Sequence, residues 1–391
     1  MNKPLTLLNN LTPAQFLADY WQKKPLLIRQ AIPNFKGLLS PNELAGLACE
    51  DDIQARIIKQ IKDKWSVKQS PFDEADFAKL PPKDWTLLVQ NVNHYLPEAA
   101  HLLTQFNFIP HARLDDLMVS YAPTGGGVGA HVDSYDVFLL QGSGKRQWKI
   151  SAQADLNIVE GAPLRILKHF ETEQEWVLEA GDMLYLPPQI AHWGTSMSDD
   201  CMTYSIGFRA PKTQELMHEF LNFLQDNIGQ DNIDASGLYT DPNLSLQNHP
   251  AEISEEMVNK VSGMLQKITW DNSTVADFLG KYLTEPKPDV VFEAARKSSL
   301  ATFSKQLSIK SLCLDLKSQM LFANNQFYLN GERLAVATEL RVYMRDLADK
   351  RYLDVTATAL KHSSSGLQAN IHKALGDALY TCYLAGYVDF K

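Results

Sequence analysis

The segment GGGVGAHVDSYDVF places a histidine and an aspartate, His131 and Asp133, two positions apart after a run of glycines. On a β-strand successive side chains alternate between faces, so both would project from one face and could hold one ion. Two histidines and one carboxylate on a triangular face leave positions open and are typical of non-haem Fe(II) oxygenases, whereas structural zinc sites are closed. This interpretation requires a second histidine.

His192 is the best candidate for the second histidine. It stands in EAGDMLYLPPQIAHWGTS, which has the pattern of a turn, a strand, a proline-containing turn and the start of another strand. The alternative, His169, lies in the charged segment LRILKHFETEQE, which suits an exposed loop better. A His-x-Asp tripeptide alone is more often part of an ordinary strand, but here the glycine-rich approach and His192 agree with it. The sequence therefore predicts a metal site of His131, Asp133 and His192.

An inward-facing arginine indicates an acidic cosubstrate, because such an Fe(II) centre needs electrons and 2-oxoglutarate can supply them. After the turn GSGK, alternation places Arg146 on the same face as Trp148 and Ile150. An unpaired charge there is costly, and a planar guanidinium suits a carboxylate. The alternatives are an ion pair with an acid such as Asp136, or a side chain that reaches the barrel rim. We expect Arg146 to bind the far carboxylate of 2-oxoglutarate; Ser120 could add a hydroxyl, although a strand serine is more often incidental.

The whole chain has the composition of an ordinary globular protein. Its 391 residues favour two or three domains, and its net charge of -9 argues against a protein that coats DNA or anionic membrane along its length. The four cysteines are far apart and form no CxxC pair, so we expect reduced, structural residues. No segment has a signal-peptide core or the roughly 20 apolar residues of a membrane span. We expect a cytoplasmic protein without a membrane partner.

Changes of pattern along the chain predict three regions. After a short helix from Thr12 to Trp21, the runs LMVSYA, YDVFLLQ, RQWKI, MLYLP and CMTYSIGFR predict the short strands of a barrel or sandwich. Helical stripes from Leu216 to Ile228 and from Ile253 to Ile268 form either internal core or a dimer interface. The last region combines helices with an Asn-Gly hairpin signal in QFYLNGERLAV, which suggests a winged-helix-like module. Its charge is only mildly positive, so direct nucleic-acid binding is not expected.

The motifs together resemble a known family. The segments DYWQKKPLLIRQAIPNF, DDLMVSYAPTGGGVGAHVDSYDVFLLQGSGKRQW, GDMLYLPPQIAHWG and YSIGFRAP, in this order, are similar to the JmjC-type ribosomal oxygenases. Within that family they resemble the bacterial arginine hydroxylases of ribosomal protein number sixteen of the large subunit. The resemblance covers the full length and weakens after about residue 275.

The resemblance implies an α+β protein of three domains. Residues 1–210 would form a double-stranded β-helix catalytic domain with N-terminal helices. Residues 211–275 would form a helical dimerisation domain, and residues 276–391 a winged-helix-like C-terminal domain. We therefore expect a homodimer.

The resemblance also implies an activity and assigns residues to it. The Fe(II) ligands fall on His131, Asp133 and His192, and the 2-oxoglutarate carboxylate on Arg146 with a supporting contact from Ser120. With 2-oxoglutarate and O2 as cosubstrates, the family hydroxylates C3 of an arginine or a histidine in a ribosomal protein, and arginine is the bacterial version. Human relatives have a lysine at the position of Arg146, so the arginine is of the bacterial type.

Several alternatives share parts of this pattern. A histidyl hydroxylase or a lysine demethylase of the same fold shares the metal chemistry, and the demethylase differs in the fate of the product carbon. A cupin-type isomerase or small-molecule dioxygenase commonly binds its metal through more histidines and needs no 2-oxo acid, so Asp133 and Arg146 argue against it. A barrel that has lost its metal and only binds proteins would not need the intact triad.

Overall fold

The computed structural model shows an α+β protein, and it describes residues 3–62, 64–227, 238–295, 298–355, 357 and 368–391. The chain divides into two compact units. The first contains Met1–Ala210, Lys287–Glu293 and Asp315–Lys317, and the second contains Pro211–Pro286, Ala294–Leu314 and Ser318–Lys391. The predicted α+β class is confirmed, while the division into three domains stays a prediction. Within the described ranges, no helix is both long and apolar enough to cross a membrane.

Among its described residues, the first unit contains twelve strands. They are β1 (Leu26–Ile28), β2 (Ala55–Ile61), β3 (Lys64–Gln69), β4 (Trp85–Val89), β5 (Leu114–Ala122), β6 (His131–Val132), β7 (Asp136–Ser143), β8 (Arg146–Ser151), β9 (Gln174–Leu178), β10 (Met183–Leu186), β11 (Ala191–Ser196) and β12 (Cys201–Phe208). An eight-stranded antiparallel sheet has the order β1-β10-β7-β12-β5-β4-β2-β3, and a four-stranded sheet has the order β6-β11-β8-β9. From β5 to β12 the chain switches sheet at every step except β8 to β9, as in a double-stranded β-helix. The predicted barrel is confirmed.

Short helices flank the sheets of this unit: α1 (Pro13–Asp19), α2 (Pro41–Leu47), α3 (Glu74–Ala78) and α4 (Pro97–Leu103). The first of them begins as the sequence predicts. The Thr12 side chain accepts a hydrogen bond from the backbone N–H of Gln15, the Gln15 side chain accepts one from the backbone of Thr12, and Pro13 occupies the first turn. This capping box satisfies donors that the helix itself leaves unpaired.

Apolar side chains fill the space between the two sheets. The residues that pack together there come from both sheets: Val137, Leu139, Trp148, Ile150, Leu178, Leu184 and Leu186. The other face of the large sheet contacts a larger core that includes the N-terminal helices. Since side chains alternate along each strand, one face of β5, β7 and β12 packs against that larger core and the other faces the barrel interior.

Glycines allow close packing near the four-stranded sheet. A Cβ atom added to Gly127 would lie 2.4 Å from the carbonyl oxygen of Gly194. One added to Gly194 would lie 2.6 Å from the Trp148 ring. Both contacts are too short for a side chain, so Gly127 lets the loop before β6 approach β11, and Gly194 lets β11 approach Trp148.

Two short segments from the C-terminal part of the sequence belong to the first unit. In Lys287–Glu293, the Lys287 Nζ lies 3.1 Å from the Asp115 carboxylate and 3.0 Å from the Asn91 side-chain oxygen. In Asp315–Lys317, the Lys317 Nζ lies 3.5 Å from the Asp52 carboxylate. The first unit is therefore discontinuous in sequence.

The second unit combines helices with two small antiparallel sheets. Its elements are α5 (Thr213–Asp226), α6 (Glu255–Leu265), α7 (Asn272–Thr284), α8 (Leu300–Gln306), α9 (Arg341–Lys350), a final helix Gln368–Leu384, and the strands β13 (Leu312–Leu314), β14 (Met320–Ala323), β15 (Gln326–Leu329), β16 (Glu332–Leu334), β17 (Tyr352–Leu353) and β18 (Val388–Phe390). The sheets have the orders β17-β13-β18 and β14-β15-β16. Asn330 and Gly331 join β15 to β16 with φ values of 51° and 86°, which suit a tight hairpin turn. The predicted Asn-Gly hairpin is confirmed.

The two predicted apolar stripes differ in how far they are covered. On α5, Phe220 contacts Phe278 and Trp270, with ring centroids 5.3 and 5.5 Å apart. Along α6 no residue is buried, and Val258 and Leu265 are 54% and 61% exposed. The α5 stripe thus contributes to internal core, whereas the α6 stripe lies open within the described part of its own unit. Ile228, at the end of the first stripe, lies outside the described residues.

Candidate metal centre

The three predicted metal ligands lie together at one end of the small sheet. His131 on β6 and His192 on β11 are direct partners across the sheet, with ring centroids 4.2 Å apart. The strand β6 ends at Val132, so Asp133 follows the strand rather than belonging to it. The Asp133 carboxylate still lies 3.9 Å from His131 Nε2 and 3.5 Å from His192 Nε2. One ligand atom from each of the three residues lies within 4.8 Å of the others.

Backbone hydrogen bonds orient both imidazole rings. The Nδ1 of His131 lies 3.0 Å from the carbonyl oxygen of Gly129, and the Nδ1 of His192 lies 2.9 Å from that of Ile190. A carbonyl oxygen only accepts, so in each neutral ring Nδ1 carries the proton and donates it. The Nε2 lone pairs remain available on the side of Asp133, which is how proteins commonly fix a metal-binding histidine.

The electrostatic environment favours the metal-binding form of His192. Burial, and next the neighbouring His131, lower the pKa of His192 to about 4. The Asp133 carboxylate acts in the opposite direction but does not outweigh burial. Because a histidine must be neutral to bind a metal ion, His192 is ready for binding at neutral pH.

The donor set fits Fe(II). Two imidazole nitrogens and one carboxylate suit a divalent first-row metal and leave coordination positions for other ligands. His169, the alternative in the sequence, is exposed and does not belong to the cluster. The geometry therefore favours His192 over His169.

Arg146 is buried with an unused donor. It starts β8 and is 3% exposed, and Trp148 and Ile150 on the same face are 5% and 2% exposed, so the predicted inward orientation is confirmed. Its Nε donates to the sulfur of Cys201 at 3.4 Å, and its guanidinium lies 5.7 Å from the Trp148 ring centroid. Its Nη2 is buried without a hydrogen-bond partner in the part of the chain that the structure describes. The Trp148 ring in turn lies 5.9 Å from the His192 ring, so Trp148 stands next to both Arg146 and the metal cluster.

Asp136 does not serve as the counter-ion of Arg146. Its carboxylate lies 3.3 Å from the guanidinium of Arg113 and accepts hydrogen bonds from Tyr185 at 2.7 Å and from Gln22 at 2.8 Å. The alternative in which Arg146 forms a structural ion pair with Asp136 is therefore wrong. A buried guanidinium with an unpaired nitrogen is better explained by an anion that binds there.

Ser120 lies on the sheet face that looks into the barrel. It is 5% exposed and is the direct partner of Thr203 on β12, so the two side chains share a face. Its hydroxyl is 3.5 Å from the Thr203 carbonyl oxygen, which is a long hydrogen bond. Cys201 stands two positions before Thr203 and thus belongs to the same face, where it meets Arg146. The structure places Ser120 and Arg146 on the lining of the same interior.

Sequence reasoning missed Asp116, a buried carboxylate on the same face of β5. It is 8% exposed, and its Oδ2 accepts a hydrogen bond from the backbone N–H of Asn91 at 3.2 Å. Burial raises the pKa of Asp116 to about 6, with Asp115 adding to the rise. Alternation counted back from Ser120 through LMVS would have selected Asp116 and not Asp115 as the inward acid.

Tyr135 senses the charges of both Asp133 and Asp116. Its pKa is raised mainly by desolvation, and next by the negative charges of Asp133 and Asp116. Both carboxylates therefore lie within electrostatic range of one phenol.

Comparison with protein families identifies two parts of the chain. Residues 101–216 match the JmjC domain, and residues 267–384 match the ROXA-like winged helix. The predicted fold, a JmjC-type double-stranded β-helix followed by a winged-helix-like region, is confirmed by these matches.

Several known proteins are similar to the chain over nearly its whole length. The ribosomal protein uL16 3-hydroxylase of Escherichia coli is 32% identical, over 96% of this chain and 95% of the relative. A probable ribosomal oxygenase of Haemophilus influenzae is 41% identical, over 91% of this chain and 87% of the relative. The solved structure of the E. coli ribosomal oxygenase YcfD in complex with cobalt and 2-oxoglutarate matches with a TM-score of 0.78 and 30% identity, over 97% of this chain and 98% of the other.

Proposed function

The chain belongs to the JmjC-type ribosomal oxygenase family, and from this premise we propose that it is an Fe(II)- and 2-oxoglutarate-dependent hydroxylase of ribosomal protein uL16. One structural observation supports this function independently of the family relationship. The barrel interior holds a cluster of two histidines and one aspartate and, across the Trp148 ring, a buried arginine with an unused donor, as a metal site with an anionic cosubstrate requires.

Each group has a defined task in this reaction. His131, Asp133 and His192 would hold Fe(II), and Arg146 would bind the far carboxylate of 2-oxoglutarate, with Ser120 as a supporting donor. Iron and 2-oxoglutarate, when bound, supply the oxidising chemistry: the 2-oxo acid is decarboxylated to succinate and one oxygen atom of O2 enters a substrate C–H bond. The Nδ1–H bonds of the histidines keep both Nε2 atoms available for the metal. The apolar residues packed between the sheets keep water out of the interior around Trp148.

An arginine substrate agrees with the charge of the lining. The carboxylate of Asp116 is buried next to that of Asp115, and both effects raise the pKa of Asp116. A guanidinium placed against Asp116 would relieve this cost through charge-assisted hydrogen bonds. The ring of Tyr135 offers a face on which a planar cation can pack. We therefore propose hydroxylation at C3 of an arginine, and a histidine substrate is the second candidate within the same family.

We further propose that the protein is a cytoplasmic homodimer. The α6 surface carries a row of exposed apolar residues: Met257, Val258, Val261, Met264 and Leu265. A continuous apolar face of this kind is usually covered, and a second copy of the chain covers it by two-fold symmetry. Ribosomal proteins are made in the cytoplasm, where the enzyme would meet its substrate.

Peptide mapping of ribosomal proteins tests the function. The protein is incubated with isolated ribosomal proteins, Fe(II), ascorbate and 2-oxoglutarate, and the products are analysed by mass spectrometry. We expect one added oxygen on one arginine of uL16, and none with the His192→Ala variant. Oxygen on a histidine would assign the histidyl-hydroxylase activity, and loss of a methyl group would assign demethylation. No change in any ribosomal protein, while 2-oxoglutarate is still consumed, would reject the proposed substrate.

A further inference from the structure

A cysteine thiol contacts the guanidinium of Arg146. Cys201 is fully buried, at 0% exposure, and its sulfur accepts the Nε–H of Arg146 at 3.4 Å. The strands that carry the two residues belong to different sheets, so this contact crosses the interior of the barrel. This contact uses the Nε–H of the guanidinium, and the neighbouring Nη2 is left without a partner among the described residues.

Neighbouring side chains hold the sulfur in place. Gln141 on β7 donates from Nε2 to the Cys201 sulfur at 3.4 Å and to the Ser143 carbonyl oxygen at 2.7 Å. The Oε1 of Gln141 accepts the hydroxyl proton of Thr203 at 3.0 Å. Gln141 and Thr203 are 0% and 1% exposed. The amide is thus fixed at both ends, and its position determines where the sulfur, and through it Arg146, can lie.

The chemistry of the acceptor decides how strongly Arg146 can attract an anion. A carboxylate in place of the sulfur would form a buried ion pair and neutralise the guanidinium. A neutral thiol accepts only a weak hydrogen bond, so it orients Nε without cancelling the positive charge. The side chain is therefore held in one orientation while its charge stays available.

We propose that Cys201 is a positioning residue for the cosubstrate: it orients Arg146 through a neutral contact so that the guanidinium presents its charge and Nη2 to the far carboxylate of a 2-oxo diacid. This inference rests on the proposed function, since it assumes that 2-oxoglutarate binds at Arg146. It assigns a binding task to a cysteine that the sequence alone presents as an ordinary buried residue.

Binding of 2-oxoglutarate to the full-length protein loaded with Mn(II), without O2, tests the proposal by titration calorimetry in the absence of turnover. In Cys201→Ala the dissociation constant should rise up to about tenfold, because binding must then order an Arg146 side chain that the sulfur no longer holds. Cys201→Ser keeps a neutral acceptor and should restore the affinity to within about threefold of the original. Cys201→Asp should weaken binding by more than about a hundredfold, because the new carboxylate competes for Arg146.

Two controls separate positioning from packing. Cys382→Ala removes a buried thiol in the second unit, 6% exposed, and should leave the dissociation constant unchanged. In an Arg146→Ala background, adding Cys201→Ala should cause no further loss, because the two residues act through one contact. An equal loss in both backgrounds would overturn the proposal, and so would a Cys201→Ala variant that binds like the original protein. Melting curves establish which variants fold. If the aspartate variant does not fold, the alanine and serine variants are sufficient to decide the proposal.

The outcomes also distinguish this proposal from the proposed function. If the unaltered protein with Mn(II) fails to bind 2-oxoglutarate, the proposed function is rejected together with its cosubstrate. If the unaltered protein binds and the Cys201 variants do not follow the expected order, only the positioning role is rejected.

Discussion

Replacement of Arg146 should separate cosubstrate affinity from stability. Arg146 is 3% exposed, and its Nη2 has no partner among the described residues. Such an unsatisfied buried donor costs about 1–3 kcal/mol. Arg146→Met keeps much of the side-chain volume and removes this donor, so the ligand-free variant should melt no lower than the original protein.

The loss appears when 2-oxoglutarate is added. Charge-assisted hydrogen bonds to the far carboxylate contribute about 1.5–3 kcal/mol, which corresponds to about ten- to more than a hundredfold in affinity. At a concentration of about 100 times the original dissociation constant, the cosubstrate stabilises the unaltered protein by about 2.7 kcal/mol, but a variant with hundredfold weaker binding by only about 0.4 kcal/mol. Arg146→Lys should recover part of the difference, because it keeps the charge but not the planar fork.

Differential scanning fluorimetry of the metal-loaded proteins, with and without 2-oxoglutarate, measures both effects. Calorimetric titration gives the dissociation constants of Arg146→Met and Arg146→Lys directly. A ligand-free Arg146→Met protein that melts much lower, yet binds 2-oxoglutarate as tightly as the original, would refute the reasoning. Arg146 would then be a structural residue and not a ligand for the carboxylate.

Three further predictions concern the metal, the substrate and the dimer. His192→Ala should abolish stoichiometric metal binding measured by elemental analysis after gel filtration, whereas His169→Ala should retain it; the reverse would move the site. If Asp116 binds the substrate arginine, kcat/KM should rise with pH through about 6, because the pKa of Asp116 is raised and only its ionised form attracts a cation. Asp116→Asn should raise KM at least about tenfold and remove this pH dependence. An unchanged pH profile would exclude this role. Val258→Glu with Leu265→Glu should give a folded monomer by light scattering, and an original protein that is already monomeric would contradict the dimer.

The sequence predicts the barrel and the metal cluster well because their signals are local. Alternation along RQWKI places Arg146 correctly, and the Thr12-Pro13 start defines the first helix. The His-x-Asp spacing also brings its two side chains together, although for a different reason than expected. The strand ends at Val132, and the following turn, rather than strand alternation alone, places Asp133 beside His192.

Features that depend on partners across the sheets could not be predicted in the same way. The contact between Cys201 and Arg146 joins residues 55 positions apart on different sheets. Excluding Asp136 as the ion-pair partner of Arg146 also required three-dimensional information, because the residues that contact its carboxylate are distant in sequence. These residues are Arg113, Tyr185 and Gln22. The α5 stripe was ambiguous for a related reason: an apolar face has the same periodicity whether it packs within its own unit or against another molecule.

The discontinuous first unit has a consequence for how this protein can be shortened, in the laboratory or by evolution. A fragment that ends near Ala210 keeps every proposed metal ligand but loses Lys287 and Lys317. The adjacent acids Asp115 and Asp116 would then lack the cation that lies 3.1 Å from Asp115 and that also lowers the pKa of Asp116. A gene deletion that removes the C-terminal half therefore alters the charge balance beside the barrel, so the two halves are expected to be inherited together rather than exchanged as independent modules.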